Sequence, residues 1–387
     1  MALLPIPSPQ AQAISQQLSD LIQQKIKNAG GWINFADFMQ MALYTPSLGY
    51  YSGGTQKFGH AGDFVTAPEI SPLFAKILAL QVAQILGATQ ANILELGAGT
   101  GKLVVDLLLE LQRLKQLPEQ YFILEVSDHL RQIQRENCQA KLPVSLFEKI
   151  SWLETLPKNY SGLVLGNEVL DAIPARILHK TQTGENKAGF CERGVSFEAD
   201  FVWRDAELSD VKLAEHLPDN LPTGYITEVN PASSALMRSL VEILETGVIL
   251  MIDYGFGAAE YFHPQRNQGT LMCHYQHYAH DNPLMNTGLQ DITTHVDFTQ
   301  IAHAGQAHGI RLAGYVNQAQ FLINCGILEV LAKTSPNDMA TYAPLAAAAQ
   351  KFLSPAEMGE LLKVIALCKN FDVPLIGFKS GDKLHVL

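Results

Sequence analysis

Short apolar blocks alternate with stretches of helical periodicity from Ile93 onward, and this alternation is the strongest pattern in the chain. Ile93, Leu94 and Leu96 suit a strand buried in a parallel sheet, while Leu103, Val104, Leu107, Leu108 and Leu111 recur at helical spacing. Further strands are predicted at Tyr121–Val126, Ile150–Leu153, Leu163–Gly166 and Val248–Ile252. Strand and helix in turn predict an α/β fold with a doubly wound parallel sheet, whose ligands sit beyond the carboxyl ends of the strands. Glu125, Trp152, Asn167, Glu168 and Asp253 fall at those ends.

Upstream, Ile14, Leu18, Leu21, Ile22 and Ile26 form one helical stripe that should stop near Gly30-Gly31. Phe35, Phe38, Met39 and Leu43 predict a second, short helix, followed by the turn-rich TPSLGYYSGG. The stretch from Ala175 to Thr246 is too long for one crossover. Within it Arg176–His179 and Val195–Trp203 predict an inserted antiparallel hairpin, and Ala232–Leu244 the crossover helix. A second insertion follows Tyr254, and the alanines at Ala346–Ala349 read as helix. The domain reading is therefore an N-terminal helical extension over 1–88, carrying a loop that covers a ligand, and a main domain over 89–387. Insertions at about 175–230 and 256–345 would form a lid on the substrate side.

Composition narrows the class. With 387 residues, 47% hydrophobic and 17% charged, the chain can bury a sizeable core. A formal charge of -11 and no dense basic cluster argue against nucleic acid as a partner. No apolar run approaches a membrane span, so no membrane insertion is expected. The opening MALLPIPSPQ has no positive region, and the first basic residue is Lys25, so neither a secretory nor a mitochondrial presequence is visible. Five cysteines without a C-x-x-C pair suit a reducing compartment. A cytoplasmic location is expected, and self-association into a homodimer stays open.

The candidate chemistry begins at ILELGAGTGKL. Gly97, Gly99 and Gly101 let the backbone turn sharply, lie against a ligand and aim amides from a helix start at an anionic group. The glycines alternate, G-x-G-x-G, with Glu95 two residues before the first, unlike the G-x-G-x-x-G of dinucleotide sites. Glu125, closing the second strand, stands where such folds place a carboxylate that accepts from ribose hydroxyls. In GDFVTAPEIS, Ser71 could simply cap the next helix, which leaves Asp63, Thr66 and Glu69 unexplained. In GNEVLDAIP, Glu168 and Asp171 could grip a planar cation through paired hydrogen bonds. The plain alternative is a helix start, with Asn167 as cap and Glu168 at the positive end of the dipole. His274, His277 and His280 lie three apart, but no acid or cysteine ligand has a matching spacing, and no metal is expected. His295 and Asp297 alternate on a predicted strand and could face one space.

With these blocks in order, the chain resembles the MidA family of class I S-adenosylmethionine-dependent methyltransferases, which includes a mitochondrial protein-arginine methyltransferase that acts in complex I assembly. The resemblance rests on GDFVTAPEIS, ELGAGTGKL, LEVSDHLR, NEVLDAIP, DYG, GTLMCHY and GLQDITTHVDF, which together span most of the chain. It implies a class I methyltransferase fold, S-adenosylmethionine as cofactor and a protein substrate methylated on arginine. The implied cofactor residues are Gly62, Asp63, Thr66, Pro68 and Glu69 in the covering loop, then Glu95, Gly97, Ala98, Gly99, Gly101 and Leu103. Glu125, Val126, Trp152, Leu153 and Asn167 would complete that set, with Trp152 and Leu153 flanking adenine. Glu168 would orient the guanidinium, with Asp171, Asp63 or His295 assisting. Two other readings share parts of this pattern: a nicotinamide-dependent oxidoreductase, and an assembly protein that keeps the pocket without catalysis.

Overall fold

Parallel strands buried on both faces need uninterrupted apolar runs, and the segments NILEL and YSGLVLGN supply them. In the computed structural model, which describes residues 4–53, 66–89, 92–181, 189–335 and 337–387, these runs lie near the middle of an eight-stranded sheet. Its strands, numbered within this sheet, are β1 (Asn92–Leu96), β2 (Tyr121–Leu124), β3 (Ile150–Leu153) and β4 (Tyr160–Asn167). Then follow β5 (Leu244–Phe256), β6 (Val296–Asp297), β7 (Arg311–Asn317) and β8 (Leu362–Lys369). Their spatial order is β7-β8-β5-β4-β1-β2-β3, with β6 beside β5. Strands β3 to β5 along this path are parallel, and β8 runs antiparallel between β5 and β7. The strand order reverses at β1, between β2 and β4, which is where a doubly wound sheet opens a ligand crevice.

The chain divides into two compact units. One comprises Val65–Leu170, Leu236–Gly257 and Val296–Leu387, and it holds the eight-stranded sheet. Its core joins sheet residues such as Ile93, Leu163, Leu165, Val248 and Leu250 to helix residues including Phe74, Ile77, Leu78, Val104 and Leu108. A fully buried leucine or phenylalanine here contributes about 1.5–3 kcal/mol. The Pro72–Thr89 helix is long and apolar enough to cross a membrane by length and composition, with a mean hydropathy of 1.4, contrary to the expectation that no run approaches that length. Packing accounts for its composition: Leu73, Phe74, Ala75, Ile77, Leu78, Val82 and Ile85 are all buried in this core.

The other unit comprises Met1–Phe64, Asp171–Ala235 and Ala258–His295. This division runs differently from a boundary at residue 88, because the N-terminal helices share a core with the inserted segments. Leu18, Ile22 and Ile26 of the Pro9–Asn28 helix and Phe35, Phe38 and Met39 of the Phe35–Tyr44 helix pack with Ile177, Val195, Cys273 and Ile292. The inserted hairpin is larger than predicted. Strands Arg176–Lys180, Phe190–Phe197, Phe201–Ala206 and Ile226–Val229 form one antiparallel sheet with the short Ile33–Asn34. Strands Met272–Tyr275, Tyr278–His280 and Asp291–Thr293 form a second sheet of three.

Candidate active site

Where β1 ends, three glycines in five residues take left-handed backbone angles, with φ of +59° at Gly97, +53° at Gly99 and +79° at Gly101. Side chains at these angles are strained. Gly97 and Gly101 are also crowded, since a Cβ would stand 3.2 Å from Val169 Cγ2 and 3.3 Å from Gln134 Cα respectively. Gly99 differs: beyond its chain neighbours, no described atom lies within 4 Å of its Cβ position. The loop thus leaves a backbone cradle that a side chain at Gly99 would fill. Ala98 and Leu103 are buried in the core on either side, and the Lys102–Arg113 helix begins at Gly101 without a side-chain cap, so its first-turn amides suit a ligand. Glu95 is turned inward. It is 2% exposed, accepts from the Tyr121 hydroxyl at 2.6 Å, and burial pushes its carboxyl up to about 7.

The turn after β2 carries Glu125. Its Oε1 accepts from Ser127 N–H at 2.9 Å and its Oε2 from Gln134 Nε2 at 2.9 Å. Burial raises its proton affinity, and the donors from Ser127, Gln134 and Val126 oppose that rise. Val126 beside it is 74% exposed, an apolar side chain offered outward. On β3, Trp152 is half-buried, donates to Gln134 Oε1 at 3.0 Å and lies 5.0 Å beneath the Arg135 guanidinium, and Leu153 follows it at the strand end. A buried acid, an exposed valine and a half-buried tryptophan thus stand close together at the ends of β2 and β3.

At the end of β4 the helix-start reading fails. Asn167 is the last strand residue, Glu168 takes a left-handed φ of +52°, and turns rather than a helix follow. Glu168 is held there because its N–H donates to Ile252 O at 2.8 Å, while Val169 N–H and Leu170 N–H donate to Asp253 Oδ2 at 2.9 and 2.7 Å. Asp253, 1% exposed, also takes Tyr254 N–H on its other oxygen at 2.8 Å. Glu168 is thus a non-glycine residue held in a strained region by the neighbouring strand β5, the kind of outlier that motivates a functional hypothesis. Glu168 Oε1 accepts from Asn167 Nδ2 at 3.2 Å and from Ala67 N–H at 3.4 Å. Asn167 Oδ1 is buried with no partner among the described residues, an acceptor suited to a ligand's ammonium.

Ala67 opens the one-turn helix Ala67–Ile70, with Thr66 before it and Pro68 buried within it. Glu69 Oε1 accepts from Thr100 Oγ1 at 2.5 Å, which ties this segment to the glycine loop. Ser71 Oγ does accept from Leu73 N–H at 3.2 Å, so the capping reading holds for that residue alone. Gly62 and Asp63 lie outside the described residues.

The remaining two acceptor-side candidates belong to the other unit. Asp171 is buried, its carbonyl accepting from Thr294 N–H at 2.9 Å, near Tyr51, whose phenol donates to Asp291 Oδ1 at 2.8 Å. His295 N–H donates to Thr270 Oγ1 at 3.0 Å, and Thr270 in turn donates through N–H and hydroxyl to the buried Glu228. Gly269 permits that grip, since a Cβ there would stand 2.2 Å from Glu228 Oε1. Asp297 is not a strand partner of His295. Its Oδ1 caps the Phe298–Gln306 helix through Thr299 and Gln300 N–H, and burial raises it to about 6. His274 and His280 sit on neighbouring strands, and no group of three potential metal ligands is assembled among the described residues. Sequence reasoning missed Gln134, whose signal was a polar side chain on the buried face between Leu130 and Cys138.

An alternating-glycine loop at the β1/β4 switch of a sheet in this order belongs to the class I S-adenosylmethionine-dependent methyltransferases. Comparison with known proteins agrees. Residues 77–316 match the model of Methyltransf_28, a family of S-adenosyl-L-methionine-dependent methyltransferases, and the chain belongs to that family. A COG1565 superfamily member from Burkholderia thailandensis, solved with S-adenosyl-homocysteine bound, is 46% identical, with a TM-score of 0.94 and both chains covered in full. The mitochondrial protein arginine methyltransferase NDUFAF7 homolog of Drosophila melanogaster is 28% identical over 97% of this chain and 91% of its own. Human NDUFAF7, named a mitochondrial protein arginine methyltransferase, is 29% identical over 89% and 82%. The protein is a methyltransferase of the MidA type, with S-adenosylmethionine as its cofactor.

Proposed function

We propose that this methyltransferase acts on an arginine side chain of a protein substrate, and that Glu168 is the residue that holds the guanidinium. The observation that carries the reading is the strained placement of Glu168, locked by Ile252 and Asp253 at the carboxyl edge of β4, next to Asn167. A carboxylate matches the paired N–H groups of a guanidinium, and the names of relatives at 28–29% identity support the same acceptor.

In this reading Gly97–Gly101 and Glu125 hold the cofactor at its backbone-facing and ribose sides, with Val126, Trp152 and Leu153 about the adenine. Thr66, Pro68, Glu69 and Asn167 serve its methionyl part. Bound S-adenosylmethionine supplies a methyl group on a sulfonium, open to direct displacement by a nitrogen. Glu168 fixes two guanidinium N–H groups so that a nitrogen is aligned for attack, and alignment supplies much of the rate. In that displacement the sulfonium's methyl–sulfur bond would break to leave the neutral thioether as the N–C bond forms, and the nitrogen's proton would pass to the Glu168 carboxylate or a water beside it. The scattered thiols, all five free, suit the proposed cytoplasmic setting.

The test is the identity of the methylated residue. Protein fractions and arginine-bearing peptides are incubated with the enzyme and methyl-labelled cofactor, then hydrolysed to amino acids. Label in methylarginine is expected. Label in another amino acid, or in a small molecule, contradicts the proposed acceptor.

A further inference from the structure

The Asp128–Lys141 helix turns Leu130, Gln134 and Cys138 inward, one turn apart. Gln134 is completely buried, and a buried amide is costly unless its hydrogen bonds are made. They are made three times over. Nε2 donates to Glu125 Oε2 at 2.9 Å and to Gly99 O at 3.0 Å, and Oε1 accepts from Trp152 Nε1 at 3.0 Å. The amide has one workable orientation here. A carboxylate and a carbonyl only accept and an indole N–H only donates, so nitrogen must face the first two and oxygen the third. The partners come from three strand ends: the glycine loop after β1, the turn after β2, and β3 itself.

We propose that Gln134 is a positioning residue of the cofactor site, fixing the Glu125 carboxylate, the Gly99 backbone and the Trp152 indole in one arrangement before S-adenosylmethionine enters. The inference rests on the reading that Glu125 takes the ribose hydroxyls. Glu125 Oε1 takes Ser127 N–H and Oε2 takes Gln134 Nε2, with Val126 N–H a further donor, and the carboxylate's remaining acceptor capacity faces a hydroxyl. A carboxylate already held in place loses little freedom on binding, which favours affinity. Leucine would match the volume and leave all three partners unmatched. Glutamate would keep the acceptor for Trp152 and lose both donors, regaining one on protonation.

The experiment is calorimetric titration of S-adenosyl-homocysteine into the wild-type chain and into Gln134→Leu, Gln134→Glu and Glu125→Ala, at pH 5.5 and pH 8. The titratable and charged groups facing the cluster are Glu125, Glu95, Cys138, Arg131 and Arg135, and the wild-type titrations carry their contribution. Gln134→Leu is expected to bind roughly 10- to 100-fold more weakly at both pH values. Gln134→Glu is expected to be comparably weak at pH 8 and to recover about tenfold or more at pH 5.5, relative to wild type, as the shared proton restores a donor. Wild-type affinity in Gln134→Leu, or a pH-independent affinity ratio in Gln134→Glu, overturns the inference. If Gln134→Leu does not fold, the pH response of Gln134→Glu decides alone. Loss of binding in Glu125→Ala with wild-type behaviour in both Gln134 variants removes this inference only. Wild-type binding in Glu125→Ala removes the ribose reading and this inference with it.

Discussion

Glu95 and Glu125 are both buried carboxylates in the sheet unit, and the chain uses them differently. Glu125 is fed donors from Ser127, Gln134 and Val126, whereas Glu95 has the Tyr121 hydroxyl against its full desolvation. The free carboxyl titrates near 4.5 and the buried one near 7, so between those values the folded chain binds more protons than the unfolded one. The stability Glu95 contributes is therefore fully present below about 4.5 and lost as pH rises through about 7. Glu95→Gln keeps an acceptor for Tyr121 and removes the ionisation. Its melting temperature should gain on wild type as pH rises from 4.5 to 8, by a stability difference on the order of 3 kcal/mol. A gap that stays constant across this range would mean that Glu95 does not titrate in the folded chain. Its inward direction was not legible in ELGAGTGKL, because the partner, Tyr121, lies a strand away.

At the scale of elements, the candidate residues stand mostly at strand ends, and those ends were largely legible. An apolar strand, a glycine turn and a helical stripe announce themselves locally, so Gly97, Gly99, Gly101, Glu125 and Trp152 could be placed from periodicity. The turn at Asn167–Leu170 could not. Asn167 and Glu168 have the composition of a helix start, and what overrides it is Asp253 on the neighbouring strand, taking the N–H groups of Val169 and Leu170. Asp253→Asn keeps the shape but exchanges one acceptor oxygen for a donor beside N–H groups. It should destabilise the chain by roughly 1–3 kcal/mol and, by releasing Glu168, slow methyl transfer. Thermal melts and initial rates measure both, and unchanged values would show that the turn holds Glu168 without Asp253. The glycine loop makes a complementary prediction: Gly99→Val puts a branched side chain at φ +53° in the cradle and should abolish S-adenosyl-homocysteine binding. Calorimetry showing wild-type affinity in that variant would displace the cradle from the cofactor site.

For the whole molecule, two compact units divide the work differently from a linear reading of the chain. The Pro9–Asn28 and Phe35–Tyr44 helices read as an extension because their stripes are local, but their core is completed by Ile177, Val195, Cys273 and Ile292 from far along the sequence. Long-range pairing of that kind leaves no periodicity to read. The Pro72–Thr89 helix shows the same limit, since its composition suits a membrane as well as a core and only its neighbours decide. In the sheet unit, ligand binding should be visible as global stability: S-adenosyl-homocysteine at 100 times its dissociation constant adds about 2.7 kcal/mol, which raises the melting temperature. That rise should vanish in Gly99→Val. The central claim is that this unit binds the cofactor while Glu168 separately handles the acceptor. Its most direct test is Glu168→Ala, assayed in one preparation for S-adenosyl-homocysteine affinity by calorimetry and for methyl transfer from labelled cofactor. The account predicts affinity within a few-fold of wild type and transfer reduced roughly 100-fold or more. Wild-type transfer, or loss of transfer only in proportion to lost binding, would contradict it.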